Sequence, residues 1–289
     1  MRNTIWAGKL LALAFLLPMG GQAQWLNYRE PGVPRTPDGK ANLTGPAPTD
    51  PLGKPDLSGV WMHETTTVAE MRRLYGSNGI DEALKVDAPG MEIGTQHRYS
   101  RNILLDFKPE DSPVRPETLE RMRRNPSRPL LSDACTPGFS FGFPLGDLLS
   151  EPIKIVQAPR LTMVLYEAGN FYRQIHTDGR KLPEEINAPT FYGYSAGHWE
   201  GTTLVVESAG FNDKTPLDAM GHPHSEALRV VERFHRRDFG HLDYQITFDD
   251  PKMYTKPFTV SIPHELQPDT DVFENFCENE KDRVHLGSK

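Results

Sequence analysis

Only two cysteines, Cys135 and Cys277, occur in the 289 residues, so neither a disulfide-dense scaffold nor a multi-cysteine zinc site is available. Basic surplus is missing as well: 32 Lys and Arg stand against 39 Asp and Glu, a formal charge of −7, and a nucleic-acid-binding surface would normally be basic. No segment after the N-terminus approaches the roughly 20 apolar residues that a membrane-crossing helix needs. Neither H-E-x-x-H nor an EF-hand loop is present, and Asp249-Asp250-Pro251 reads as a turn.

What is present begins with an export signal. Arg2 and Lys9 precede the apolar run Leu10 to Pro18, and Gly21-Gln22-Ala23 places small residues where a signal peptidase cuts. Cleavage near Ala23 removes two bases and no acid, leaving 30 basic against 39 acidic side chains and a charge of −9. A periplasmic or secreted protein with no membrane span after cleavage is expected. Such a compartment permits pairing of Cys135 with Cys277, whose long loop would stabilise the fold by about 4 to 5 kcal/mol in the chain-entropy view. Two separate buried thiols are the other reading.

A Pro- and Gly-rich arm is expected over residues 24–56, followed by one β-rich domain over 57–289: irregular covering segments to 150, a strand meander over 151–263 and a C-terminal tail over 264–289. Val68 to Tyr75 and Pro116 to Arg124 read as short helices, with a strand expected over Asn102 to Phe107. From Ile153 onward, eight short segments of strand character follow one another: Ile153–Gln157, Leu161–Ala168, Phe171–Thr177, Gly193–Glu200, Thr202–Ser208, Ala227–Arg236, His241–Asp249 and Thr255–Ile262. Tight turns between most of them predict a mainly β fold, either an antiparallel up-and-down (lipocalin-like) barrel or a strongly curved sheet, with an open sheet or sandwich as its competitor. Leu228, Val230, Glu232 and Phe234 share one face, as do Phe171, Arg173 and Ile175, so charged groups fall among apolar ones.

The segments Pro55-Asp56-Leu57-Ser58-Gly59-Val60-Trp61 and Gly193 to Glu207, with Thr177-Asp178-Gly179-Arg180 and Gly221-His222-Pro223-His224-Ser225-Glu226, resemble a family of exported bacterial proteins. The resemblance runs from about Pro55 to Asp282. It implies bacterial export and transfers no reaction; the likeness of the strand-rich half to lipocalin-like (calycin) barrels is a fold-level analogy.

Gly193-Tyr194-Ser195-Ala196-Gly197 matches the G-x-S-x-G elbow, but the residues after Ser195 read as strand rather than helix, which argues against a serine hydrolase. His222, His224 and Glu226 fall on one side of an extended chain, and Glu232 follows in a strand. These four are the candidate catalytic groups, the imidazoles moving protons and the acids serving as general acid or base. Arg173, Tyr194, Trp199 and Glu167 are the candidate substrate contacts. No cofactor is firmly implied; a divalent metal on His222, His224 and Glu226 is one option, and a metal-free ligand loop is another. The expected partner is a small molecule, polar or carbohydrate-like, bound in a barrel pocket and turned over by a hydrolase, lyase or isomerase. The alternative is a non-catalytic periplasmic carrier or sensor.

Overall fold

The computed structural model describes residues 28–83, 96–124, 152–167, 171–218 and 220–273; the leader, Cys135 and Cys277 lie outside these residues. The chain builds β1 (Gly59–His63), helices α1 (Val68–Tyr75), α2 (Ser77–Ala83) and α3 (Pro116–Arg124), then β2 (Ile153–Ala158), β3 (Leu161–Tyr166), β4 (Phe171–His176), β5 (Tyr194–Glu200), β6 (Thr203–Ala209), β7 (Arg229–Arg236), β8 (His241–Asp249), β9 (Phe258–Ser261) and β10 (His264–Leu266).

Strands pair in the order β1 to β9, and β10 closes the ring by pairing with both β1 and β8. β9 and β10 follow each other along β8 as two halves of one bent strand, so the barrel has nine staves. The eight strand segments expected from Ile153 onward all form. Two-residue connections, Pro159-Arg160 and Gly201-Thr202, join β2 to β3 and β5 to β6 as antiparallel hairpins.

One pair departs from the up-and-down expectation: β4 and β5 run parallel, with Ile175 opposite Ser195. Residues 177–193, containing Pro183 and Pro189, carry the chain back along the barrel before β5 starts, because a parallel pair needs a crossover that no tight turn can supply. β1 and β10, short and flanked by irregular chain, are the two strands not anticipated. Asn102–Phe107, expected as a strand, forms successive turns instead. Asn102 Oδ1 accepts the Leu104 amide at 2.8 Å, and backbone bonds from Leu105 to Asn102 and from Phe107 to Leu104 close successive turns.

α1 and α3 occupy the ranges their caps predict: Thr67 Oγ1 accepts the Glu70 amide at 3.2 Å, and Pro116 opens α3.

Inward side chains alternate cleanly along β7 and β8, with Val230, Glu232 and Phe234 against Leu242, Tyr244, Ile246 and Phe248. Trp61, Ile175, Val206, Val230, Ile246 and Phe248 are wholly buried, and each large apolar side chain so removed from water contributes about 1.5–3 kcal/mol. At the end of the barrel where β1 starts, Arg236 lies 4.9 Å over the Trp61 ring and donates to the carbonyls of Asp56 and Phe239. Burial lowers its pKa to about 10, so it stays charged at neutral pH. Gly59 opens β1 at φ 142, where a Cβ would stand 2.5 Å from Leu266 Cδ1. The arm reaches this same end: the Phe239 and Gly240 amides donate to Gly45 and Leu43, and Arg35 pairs with Asp269. One end is therefore stoppered, and the 210–228 connection crosses the other.

Candidate functional site

Polar groups gather in the upper half of the interior. Arg173 of β4 reaches across to Glu232 of β7, with Nη1 2.9 Å from Oε1 and Nη2 bonded to Oε2. Its Nε donates to Ser195 Oγ at 3.0 Å and Nη2 to Ser208 Oγ at 3.0 Å, while Tyr244 Oη donates to Glu232 Oε1 at 2.5 Å. Burial disfavours the charge on Arg173, yet the Glu232 carboxylate beside it more than restores it, and the guanidinium is held ionised. Burial and the same carboxylate push the Tyr244 phenol up, so it remains a hydrogen-bond donor. Below this network Leu57, Ile155, Val164, Ile175, Leu204 and Phe234 enclose a gap too small to admit water.

Ser195 is thus a member of a strand and of the Arg173 network. Of the other candidate contacts, Tyr194 points outward and donates to Ala188 O at 2.9 Å, Trp199 packs against the core, and Glu167 accepts the Phe273 amide at 2.8 Å. Three histidines that the sequence did not single out adjoin the network. The ring of His264 lies 5.5 Å from Tyr244 and 6.3 Å from His63, which lies 5.0 Å from His97. His97 Nδ1 accepts the Tyr99 amide at 3.2 Å, leaving the proton of the neutral ring on Nε2, and no described residue accepts it. Burial first, then the neighbouring His63 and His264, hold His97 well below its usual pKa. Among the described residues no group of three His, Cys, Asp or Glu is arranged to hold a metal ion.

At the end opposite the arm, hydrogen bonds pin the described residues of the 210–228 connection. Asp250 accepts the Ser225 amide at 2.6 Å and its hydroxyl at 2.9 Å, and Tyr254 Oη donates to Pro223 O at 2.8 Å. Gly221 turns the chain at φ 79, which brings the His222 ring back over Asp218. Asp218 is fully buried and accepts three bonds: His222 Nδ1–H at 2.6 Å, the His222 amide at 3.1 Å and the Ile103 amide at 2.8 Å. A carboxylate on Nδ1–H fixes the tautomer with its lone pair on Nε2. That nitrogen bonds to no described residue and is not sealed from water; 10% of the His222 side chain remains exposed.

Two further groups adjoin this pair. The Met220 amide donates to Arg101 O at 3.1 Å, and Arg101 Nε is buried with no hydrogen bond to a described residue. Burial lowers the Arg101 pKa, and the charge of Asp218 together with burial raises that of Tyr75, which donates to Arg98 O at 2.6 Å.

The four candidate catalytic residues do not converge on one pocket. Glu232 belongs to the interior, His222 to the Asp218 pair, and Glu226 is exposed on the turn that ends the extended stretch. His224 is buried against Phe211, its nitrogens 3.4 Å from Thr215 Oγ1 and Ser225 O, and burial lowers its pKa so that it is neutral at neutral pH. Asp218, four residues before His222, was the legible partner; Arg101 and Tyr75 come from a remote segment and carried no sequence signal. No family model, curated protein or solved structure matches this chain.

Proposed function

We propose that this chain is an exported bacterial protein that binds a small polar or carbohydrate-like molecule at the end of its barrel where Asp218 and His222 lie and acts on it by acid–base chemistry, as a hydrolase, lyase or isomerase. The observation that carries this reading is the Asp218–His222 pair. A buried carboxylate orients the imidazole, stabilises the imidazolium that proton abstraction would form, and leaves Nε2 toward solvent. Export rests on the leader from Arg2 to Ala23, and the bacterial family on the motifs around Trp61 and Trp199.

Turnover across a panel of glycosides, lactones and aryl ethers tests the reading. His222→Gln should lower the rate by about 10²-fold or more, the usual contribution of a positioned base, and Asp218→Asn should slow carbethoxylation of His222 by diethyl pyrocarbonate. A substrate turned over equally fast by His222→Gln removes the proposal. The saturated Arg173–Glu232 network favours a second reading, a non-catalytic carrier: interior groups already bonded to each other offer no group to react. A ligand retained stoichiometrically and released unchanged would select the carrier.

A further inference from the structure

A cleft of about 540 Å³ lies on the outside of the barrel, far from the dyad in chain position and built from different elements. Its floor is the outer face of the β1–β2 pair, with Val60 opposite Lys154 and Val156 beyond it. Tyr28 and Glu30 of the arm form one wall, and Thr270 and Asp271 the other. This volume falls in the range of small-molecule sites, roughly 300–1,000 Å³. Tyr28 and Val156 stand 45% and 40% exposed, large apolar surfaces turned to an empty space.

The charges of the cleft do not balance. Lys154 is spent on Asp271, with Nζ 2.7 and 2.8 Å from its two oxygens, and Arg35 on Asp269. The Glu30 amide is used, donating to Asp269 Oδ1 at 2.9 Å, but its carboxylate receives no hydrogen bond from a described residue. Burial first and then the Asp269 charge raise the Glu30 pKa against the opposing pull of Lys154 and Arg236, and a cation bonded to the carboxylate would hold it ionised.

We propose that this cleft binds a small aromatic amine, its ammonium on the Glu30 carboxylate and its ring between Tyr28 and the Val60–Val156 floor. A ring seated there removes the exposed apolar surface from water, an ammonium supplies the missing counter-charge, and the Tyr28 face attracts the same cation. An anion of equal size would meet an excess acid instead.

Calorimetric titration of the full chain with tryptamine, indole and indole-3-acetate separates these terms. Tryptamine should bind one site at least ten times more tightly than indole-3-acetate, with neutral indole between them. Glu30→Gln should weaken tryptamine about tenfold and leave indole unchanged, and Val156→Trp, at an exposed position where a larger side chain fits without unfolding the chain, should fill the cleft and abolish binding of both. His222→Gln should change none of these affinities. Equal affinity for amine and acid, an unaltered Glu30→Gln, or no binding by tryptamine would each overturn the proposal.

Discussion

Glu232 and Asp218 are both wholly buried carboxylates, one inside the barrel and one in the connection between β6 and β7, and their surroundings answer them differently. Glu232 meets a guanidinium, a phenol and, through Arg173, two serine hydroxyls, all from different strands. Asp218 meets two backbone amides and one imidazole, and no described arginine or lysine bonds to it. The interior site therefore commits the groups it contains to one another, whereas the outer one leaves a ring nitrogen uncommitted. Burial alone does not separate structural from reactive acids; what the partner still has to offer does.

The largest effect should come from the interior pair. Glu232→Leu strands a buried guanidinium and should cost about 3–5 kcal/mol in urea unfolding, the usual penalty for halving a buried ion pair. Arg173→Met combined with Glu232→Leu should cost less than Glu232→Leu alone, because no unpaired charge remains, although Tyr244 still loses its acceptor at about 1–3 kcal/mol. If the two substitutions simply add, the interior network is not a unit and its contrast with Asp218 fails.

How much of this was legible follows from what each feature depends on. Hairpin strands and the caps of α1 and α3 are local, and periodicity and turn residues located them to within three residues. The parallel β4–β5 pair was not local: nothing in residues 177–193 states which edge the returning chain will join. At the site, Arg173 and Glu232 could be placed on inward faces by alternation, but only the closed ring shows that they meet across it. His222 and His224 looked equivalent two residues apart. The turn at Gly221 and the amides on Asp218 make one ring accessible and oriented, while Phe211 and Thr215 enclose the other.

A smaller effect, readable from pH, sharpens the comparison through these histidines. His97 beside the interior and His224 in the connection have folded pKa values below the ordinary 6.5, so between those values and 6.5 the unfolded chain binds more protons than the folded one. Stability is then full above pH 6.5 and falls as pH drops through that window, with a slope approaching about 1.4 kcal/mol per pH unit for each proton. Urea midpoints taken from about pH 7 to 5, above the range where ordinary carboxylates titrate, should decline for the native chain and decline less for His224→Gln. An unchanged slope in that variant would assign the whole dependence to the interior cluster.

The smallest effect concerns the same chemistry in water. Arg233 of β7 and Glu200 of β5 form an ion pair at 2.8 Å across β6, an arginine and a carboxylate from non-adjacent strands as Arg173 and Glu232 are inside, and Arg233 and His198 lower the Glu200 pKa. All three side chains are roughly half exposed, so solvent screens the attraction and the long side chains give up freedom to hold it. Glu200→Gln should leave the urea midpoint unmoved within error. A shift comparable to that of Glu232→Leu would mean that ion pairing itself, rather than desolvation of a stranded partner, governs both sites, and the distinction drawn between the barrel interior and its surroundings would no longer stand.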